Sequence, residues 1–242
     1  MRFFSLQLLR FNKLLFIIRH LALLAVLIRH RVLAGVEHKA VLSRPLATVV
    51  DIGANRGQFA LAARAIAGAK VISFEPLPEV AEIFRKVFLH DPAVKLHVAA
   101  IGEKPEQKLI HLSARDDSSS LLEIGRAQSD HFPGTQEVGT LEVEVGPLDR
   151  YVTREEIVRP AMLKLDVQGY EMQALAGCKS LIGNFDCIYC ECSFVELYKG
   201  QKLAGEVIAY LGALDFVLSG IYNPSYDRGG NCIQADLLFE KM

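Results

Sequence analysis

The sequence predicts an open, doubly wound α/β sheet, and three observations carry that prediction. A β-branched run beginning at Thr48 stops at Asp51, and the small-residue turn Gly53-Ala54-Asn55-Arg56-Gly57 opens directly onto apolar positions at helical spacing (Phe59, Leu61, Ala62, Ala65, Ile66). A second apolar run, residues 71–74, closes on another acid, Glu75. From residue 162 onward, short apolar runs alternate with helical patterns, as expected of a largely parallel sheet with helices on both faces.

With 242 residues and 51% hydrophobic content, the chain can bury one full α/β domain and carry an appendage. The first 46 residues read as that appendage. They hold eight Lys/Arg against one acid, whereas the remainder holds 19 against 27. Apolar runs at 14–18 and 21–28 are split by Arg19-His20, too short for a spanning helix of about 20 apolar residues. Arg29-His30-Arg31 stands where a signal peptide needs a small-residue cleavage site. Two readings stay open here. Residues 1–42 either lie on an anionic membrane surface as a peripheral contact, or form a helix packed on the body or across a homodimer.

Residues 47–242 form the predicted α/β domain. Its acidic balance argues against nucleic acid as a partner, which would call for a basic face. Five cysteines, an odd number without spaced pairs, indicate a reducing compartment, so the expected location is cytoplasmic, at most peripheral at the inner membrane surface. Cys187, Cys190 and Cys192 share one apolar run, and strand alternation puts Cys187 and Cys190 on opposite faces. They read as buried thiols and not as zinc ligands.

Pro78 suits the first turn of a helix carrying Val80, Ile83, Phe84, Val87 and Phe88, which Asp91-Pro92 ends. Residues 94–100 read as a third strand, whose small end Ala99-Ala100 leaves room for an adenine ring or simply packs. Residues 103–147 break the alternation. Within them, 108–113 and 140–145 alternate like antiparallel strands around a polar loop, a β-rich insertion suited to covering a ligand. The main pattern then resumes with a strand at 162–167, a helix at 170–182, a strand at 185–192, a helix at 202–214 and strands at 216–221 and 235–240. A mobile connection is expected at 223–231.

The first turn is not the dinucleotide fingerprint, since Asn55 and Gln58 stand where glycines belong, and no phosphate-binding lysine motif occurs. Glu75, at the end of the second strand, is placed to accept both ribose hydroxyls of a nucleoside. Together these features favour a nucleoside without a phosphate chain, a description that S-adenosylmethionine meets. The plain alternative is an α/β turn with a solvated acid after each strand.

DIGANRGQF, ISFEPLP, the Ala99-Ala100-Ile101-Gly102 step, Lys164-Leu165-Asp166-Val167-Gln168-Gly169-Tyr170-Glu171 and Gln234-Ala235-Asp236-Leu237-Leu238-Phe239 follow one another along the chain. In that order they resemble the FkbM family of S-adenosylmethionine-dependent methyltransferases, from about Thr48 to the C-terminus. The resemblance implies a Rossmann-like class I methyltransferase fold with seven strands in the order 3-2-1-4-5-7-6. It also implies methyl transfer to a hydroxyl of a sugar or secondary metabolite, a small-molecule or glycan acceptor. Gly53, Asn55 and Gly57 are expected at the amino-acid end of the cofactor and Glu75 at the ribose. Pro76 and Ala100 complete the contacts, and Asp51 is expected under the loop, hydrogen-bonded to its backbone or to the cofactor's amino group.

Catalysis is expected beyond the fourth strand, because ligands sit past the carboxyl ends of parallel strands. There Asp166 orients or deprotonates the acceptor hydroxyl, with Glu171 and Glu191 as nearby candidates. Alternation puts Lys164 on the same face as Asp166, and a lysine in an apolar run needs a partner, so a Lys164–Asp166 pair is expected. That pair is either catalytic or merely self-satisfying, or the carboxylates hold a divalent metal. An NAD-dependent oxidoreductase, a nucleoside-binding protein without chemistry and a membrane-surface scaffold are the rival functions.

Overall fold

The β-branched and apolar runs become ten strands in a computed structural model, which describes residues 21–242. In chain order they are β1 (Thr48–Ile52), β2 (Lys70–Phe74), β3 (Val94–His97), β4 (Ala100–Ile101), β5 (Glu106–Ser113), β6 (Glu137–Gly146), β7 (Ala161–Leu165), β8 (Cys187–Ser193), β9 (Phe216–Tyr226) and β10 (Cys232–Lys241). The helices are α1 (Leu21–His30), α2 (Lys39–Leu42), α3 (Gln58–Ile66), α4 (Pro78–Val87), α5 (Arg126–His131), α6 (Glu171–Gly177) and α7 (Ala204–Gly212).

Seven strands pair in the order β3-β2-β1-β7-β8-β10-β9. Counted within this sheet alone, that is 3-2-1-4-5-7-6, as expected. β3, β2, β1, β7 and β8 are parallel, and β10 runs antiparallel to both of its neighbours. Every residue of β1 and β7 is buried, because helices cover both faces of the parallel part. One apolar layer joins Ile52, Leu163, Leu165 and Cys190 to α6 and α7, and the other joins Val49, Met162 and Tyr189 to Phe59 of α3 and Phe84 of α4. Cys187 falls in the second layer and Cys190 and Cys192 in the first, and all five cysteines are free.

Several boundaries differ from the sequence reading. The third strand does not run through to Ala100: β3 stops at His97, and β4 pairs instead with β6 in a separate sheet ordered β4-β6-β5. The inserted hairpin of β5 and β6 thus captures the end of the expected strand. The helix after β7 ends at Gly177, where a Cβ would lie 2.4 Å from the Gly102 carbonyl oxygen, so two chain segments touch backbone to backbone. The stretch expected to be mobile at 223–231 is strand in its first part, because β9 and β10 pair as far as Tyr226 and Cys232 and leave 227–231 as the turn. Asn223-Pro224 form a bulge between the Tyr222–Asp236 and Ser225–Gln234 pairs and do not end the strand.

The run at 14–18 lies outside the described residues. Of the second run, α1 buries Leu23 and packs toward α4, while Ile28 remains 74% exposed. Residues 32–46 are already part of the body, since Val41 and Leu42 are fully buried in the layer beside β1. Among the described residues, no helix is long and apolar enough to cross a membrane.

Candidate functional site

The β1–α3 turn, the end of β2, the end of β7, the insertion and the segment before α2 converge on one cleft of about 290 Å³. Two backbone features shape its floor. Gly53 has φ +78°, and a Cβ there would sit 1.8 Å from the Asp166 carbonyl oxygen, so only glycine lets the turns after β1 and β7 touch. Gly57, at φ +95°, is the N-cap just before α3, and its missing side chain leaves room for the rings of Phe84 and Phe88.

Glu75 is nearly fully buried at the end of β2. Its Oε2 accepts from the Asn55 N–H at 2.9 Å and its Oε1 from the Leu77 N–H at 2.9 Å. Burial pushes its pKa up to about 7, against these two bonds. Pro76, Ala99, Ala100, Ile101, Ile110 and Leu121 give this half of the cleft an apolar wall. The insertion adds Asp116, Asp117 and Ser119, and Arg56 holds Asp116 through its Nε at 2.7 Å.

Lys164 anchors the centre. It lies opposite Asp51 across the β1–β7 register, its Nζ 2.9 Å from Asp51 Oδ1. The same ammonium donates to the Gly53 carbonyl at 2.9 Å, while Asp166 Oδ2 is farther off at 3.7 Å. The expected Lys164–Asp166 pair is therefore the weaker contact, because the partner strand offers a fully buried carboxylate and Asp166 sits past the end of β7, partly exposed. Burial opposes the charge on Lys164, but Asp51 and Asp166 hold its pKa above the usual lysine value. Asp51 does not hydrogen-bond the loop backbone; burial pushes its carboxyl up and Lys164 pulls it back.

Asp166 is oriented by Gln168. That side chain donates from Nε2 to Asp166 Oδ1 at 2.7 Å and to Glu191 Oε2 at 2.8 Å. Its own Oε1 accepts from Tyr198 Oη at 2.7 Å. Burial and the Asp166 charge push the Glu191 carboxyl well above its usual pKa. Glu171 turns away from the cleft and accepts from the Gly169 N–H at 3.0 Å; burial pushes it up to about 7.

A second network reaches the cleft from residues the sequence reading passed over. His38, in the single helical turn Val36–His38, lines the cleft and sits edge-on to Phe59 and Tyr189. Its Nδ1 is 3.1 Å from Tyr189 Oη. Tyr189 Oη donates to Asp236 Oδ2 at 2.9 Å, and Asn223 Nδ2 donates to the same oxygen at 2.8 Å. Asn223 adopts φ +47°, and β9 and β10 slip register on both sides of their Gln234–Ser225 pair, which brings the exposed Asn223 amide onto Asp236. Nothing in the local sequence marks this set, since His38 and Tyr189 are 151 positions apart.

Of the sequence-predicted site residues, Gly53, Asn55, Glu75, Pro76, Ala100, Lys164 and Asp166 line the cleft. Gly57, Asp51 and Glu191 stand behind it, Gly57 against the phenylalanines, Asp51 under Lys164 and Glu191 behind Gln168. Among the described residues, no group of three or more His, Cys, Asp or Glu is arranged to hold a metal ion.

The family profile described as Methyltransferase FkbM domain matches residues 51–218. The 2-O-methyltransferase NoeI of Sinorhizobium fredii (strain NBRC 101917 / NGR234) is 26% identical over 185 residues, 74% of this chain and 76% of that protein. SMU.1697c of Streptococcus mutans, solved in complex with SAH, matches with a TM-score of 0.50 at 16% identity over 85% of this chain and 96% of that one. An uncharacterized protein from Listeria monocytogenes serotype 4b gives the same TM-score at 7% identity over 87% and 68%. At such identities the structural likeness speaks for the fold, a Rossmann-like class I methyltransferase architecture.

Proposed function

The chain belongs to the FkbM methyltransferase family, and from that premise we propose that it transfers the methyl group of S-adenosylmethionine to a hydroxyl of a sugar or secondary-metabolite acceptor. The observation that carries this reading is the cleft itself: a glycine turn after β1, a buried carboxylate at the end of β2 and an open carboxylate past β7 all line it. The residues present suit the cofactor. Each Glu75 oxygen takes one backbone N–H and keeps a lone pair for a ribose hydroxyl. Ala100, Ile101 and Leu121 offer an apolar slot for a base, and the acids along the cleft suit a cation.

When bound, S-adenosylmethionine supplies a methyl on a positively charged sulfur, so the protein's task is mainly positioning. Lys164 fixes the turn by holding Gly53 O and the buried Asp51. Gln168 fixes Asp166 at the mouth of β7, where its carboxylate can orient an acceptor hydroxyl. Glu191 acts behind it through Gln168. The oxygen-directed reading draws support from the 2-O-methyltransferase named above.

Incubation with methyl-tritiated S-adenosylmethionine and a panel of methyl glycosides tests the reading. Label in an O-methyl product is the expected result. Label on nitrogen or carbon, or none in any acceptor, would overturn the hydroxyl assignment.

A further inference from the structure

We propose that His38 is the general base that takes the acceptor hydroxyl's proton, with Tyr189, Asp236 and Asn223 as its positioning residues. The proposal rests on the O-methyl transfer reading and adds to it the group that moves the proton. Its first support is direction of hydrogen bonding. Asp236 is acceptor-only when ionised, so both Tyr189 Oη and Asn223 Nδ2 must donate to its Oδ2, at 2.9 and 2.8 Å. The second Asn223 proton points to Tyr189 Oη at 3.3 Å, nearer than His38 Nδ1 at 3.5 Å. Tyr189 has then spent its proton, so the 3.1 Å contact requires His38 Nδ1 to be the donor. The hydrogen atom therefore sits on Nδ1, and Nε2 is left as the ring's free lone pair on a side chain that lines the cleft.

The second support is the surroundings. The ionisable groups facing His38 are Asp236 from β10, Tyr189 from β8, Lys164 and Asp166 at the end of β7, and its neighbour Glu37. Burial dominates and holds the imidazole below its usual pKa, so it is neutral and able to accept a proton near pH 7. Burial and the Asp236 carboxylate push the Tyr189 phenol upward, so it remains a donor throughout. The third support is the bulge: Asn223, unpaired between the Tyr222–Asp236 and Ser225–Gln234 pairs, takes the left-handed backbone that asparagine tolerates, and this delivers its amide to Asp236 and Tyr189.

The step balances without a further reagent. The acceptor oxygen forms a bond to the methyl carbon as the carbon–sulfur bond breaks, and that electron pair stays on sulfur. The hydroxyl proton passes to His38 Nε2, so the positive charge moves from sulfonium to imidazolium and then to solvent.

The test uses the full chain with S-adenosylmethionine and the methyl glycoside that the wild type turns over fastest. For His38→Ala, cofactor affinity by calorimetry should stay within about twofold, while kcat falls by about 10²-fold or more and added imidazole restores part of it. His38→Gln, which keeps the volume without a base, should fall similarly and not be rescued. The acid limb of the wild-type kcat–pH profile should vanish in both. Nitrogen NMR of the wild type should find His38 protonated on Nδ1 alone at pH 8. Tyr189→Phe and Asp236→Asn should shift the acid limb while retaining more activity than His38→Ala. Wild-type turnover in His38→Gln, or a proton on Nε2, would overturn the proposal. A wild type inactive on every hydroxyl acceptor would instead remove the methyl-transfer reading and, with it, the base.

Discussion

Replacing Lys164 by methionine probes how the centre of the site is held. Methionine matches the lysine stem in length and is tolerated in apolar surroundings, so the change removes mainly a charge. Asp51 is 0% exposed, and the only cation in contact with it among the described residues is Lys164 Nζ, 2.9 Å away. Removing one partner of a buried ion pair costs about 3–5 kcal/mol, because the other charge is left uncompensated. Asp51→Asn should cost less, about 1–3 kcal/mol, since Lys164 keeps its bond to Gly53 O and Asp166 at 3.7 Å. The double variant carries no buried charge at this point, so its loss should fall short of the sum by about 2–3 kcal/mol. The chain has no tryptophan, so urea unfolding is best followed by far-ultraviolet circular dichroism at pH 7.5 for all four proteins. Additivity within about 0.5 kcal/mol would refute the pair as the anchor of the turn.

Gly53→Ala places a Cβ 1.8 Å from the Asp166 carbonyl at φ +78°, so it should destabilise by more than about 4 kcal/mol or prevent soluble expression; an unchanged Tm would contradict the contact between the two turns. Asp166→Asn keeps shape and loses charge, so cofactor affinity should hold within about twofold while kcat falls by roughly 10²-fold; turnover near wild type with lower stability would make Asp166 structural. Glu171 has a folded pKa of about 7 against 4.5 unfolded, so its share of stability is fully present below pH 4.5 and is lost as pH rises through 7. Relative to Glu171→Gln, the wild type should therefore lose up to roughly 3 kcal/mol between pH 4.5 and 7.5, and a pH-independent difference between the two would contradict this.

What the sequence made legible was local. Asp51, Gly53, Glu75 and the Lys164–Glu171 block each announce a strand end or a turn within a few residues, whereas the sheet order came only from the family resemblance that these motifs carry. Lys164 was recognisable as a buried cation in need of an acid, but alternation within one strand offers only Asp166. The true partner, Asp51, appears only when β1 and β7 are set in register. Tyr189 was hidden in an apolar run where an aromatic reads as core, and Asn223-Pro224 looked like a turn because an antiparallel partner cannot be read from one strand. His38 was hidden by its location in a segment whose basic, apolar composition suggested an appendage. Its role depends on partners from two distant strands, β8 and β10.

The central claim is that the cleft past β1 and β2 binds S-adenosylmethionine through Glu75, and titration calorimetry of the wild type and Glu75→Ala tests it most directly. The account predicts one site per chain for S-adenosylmethionine, no heat from NAD, and a loss of about 10- to 10²-fold in Glu75→Ala, the worth of hydrogen bonds to one charged acceptor. A folded wild type that binds no S-adenosylmethionine, or a folded Glu75→Ala that binds it as tightly as the wild type, would contradict it.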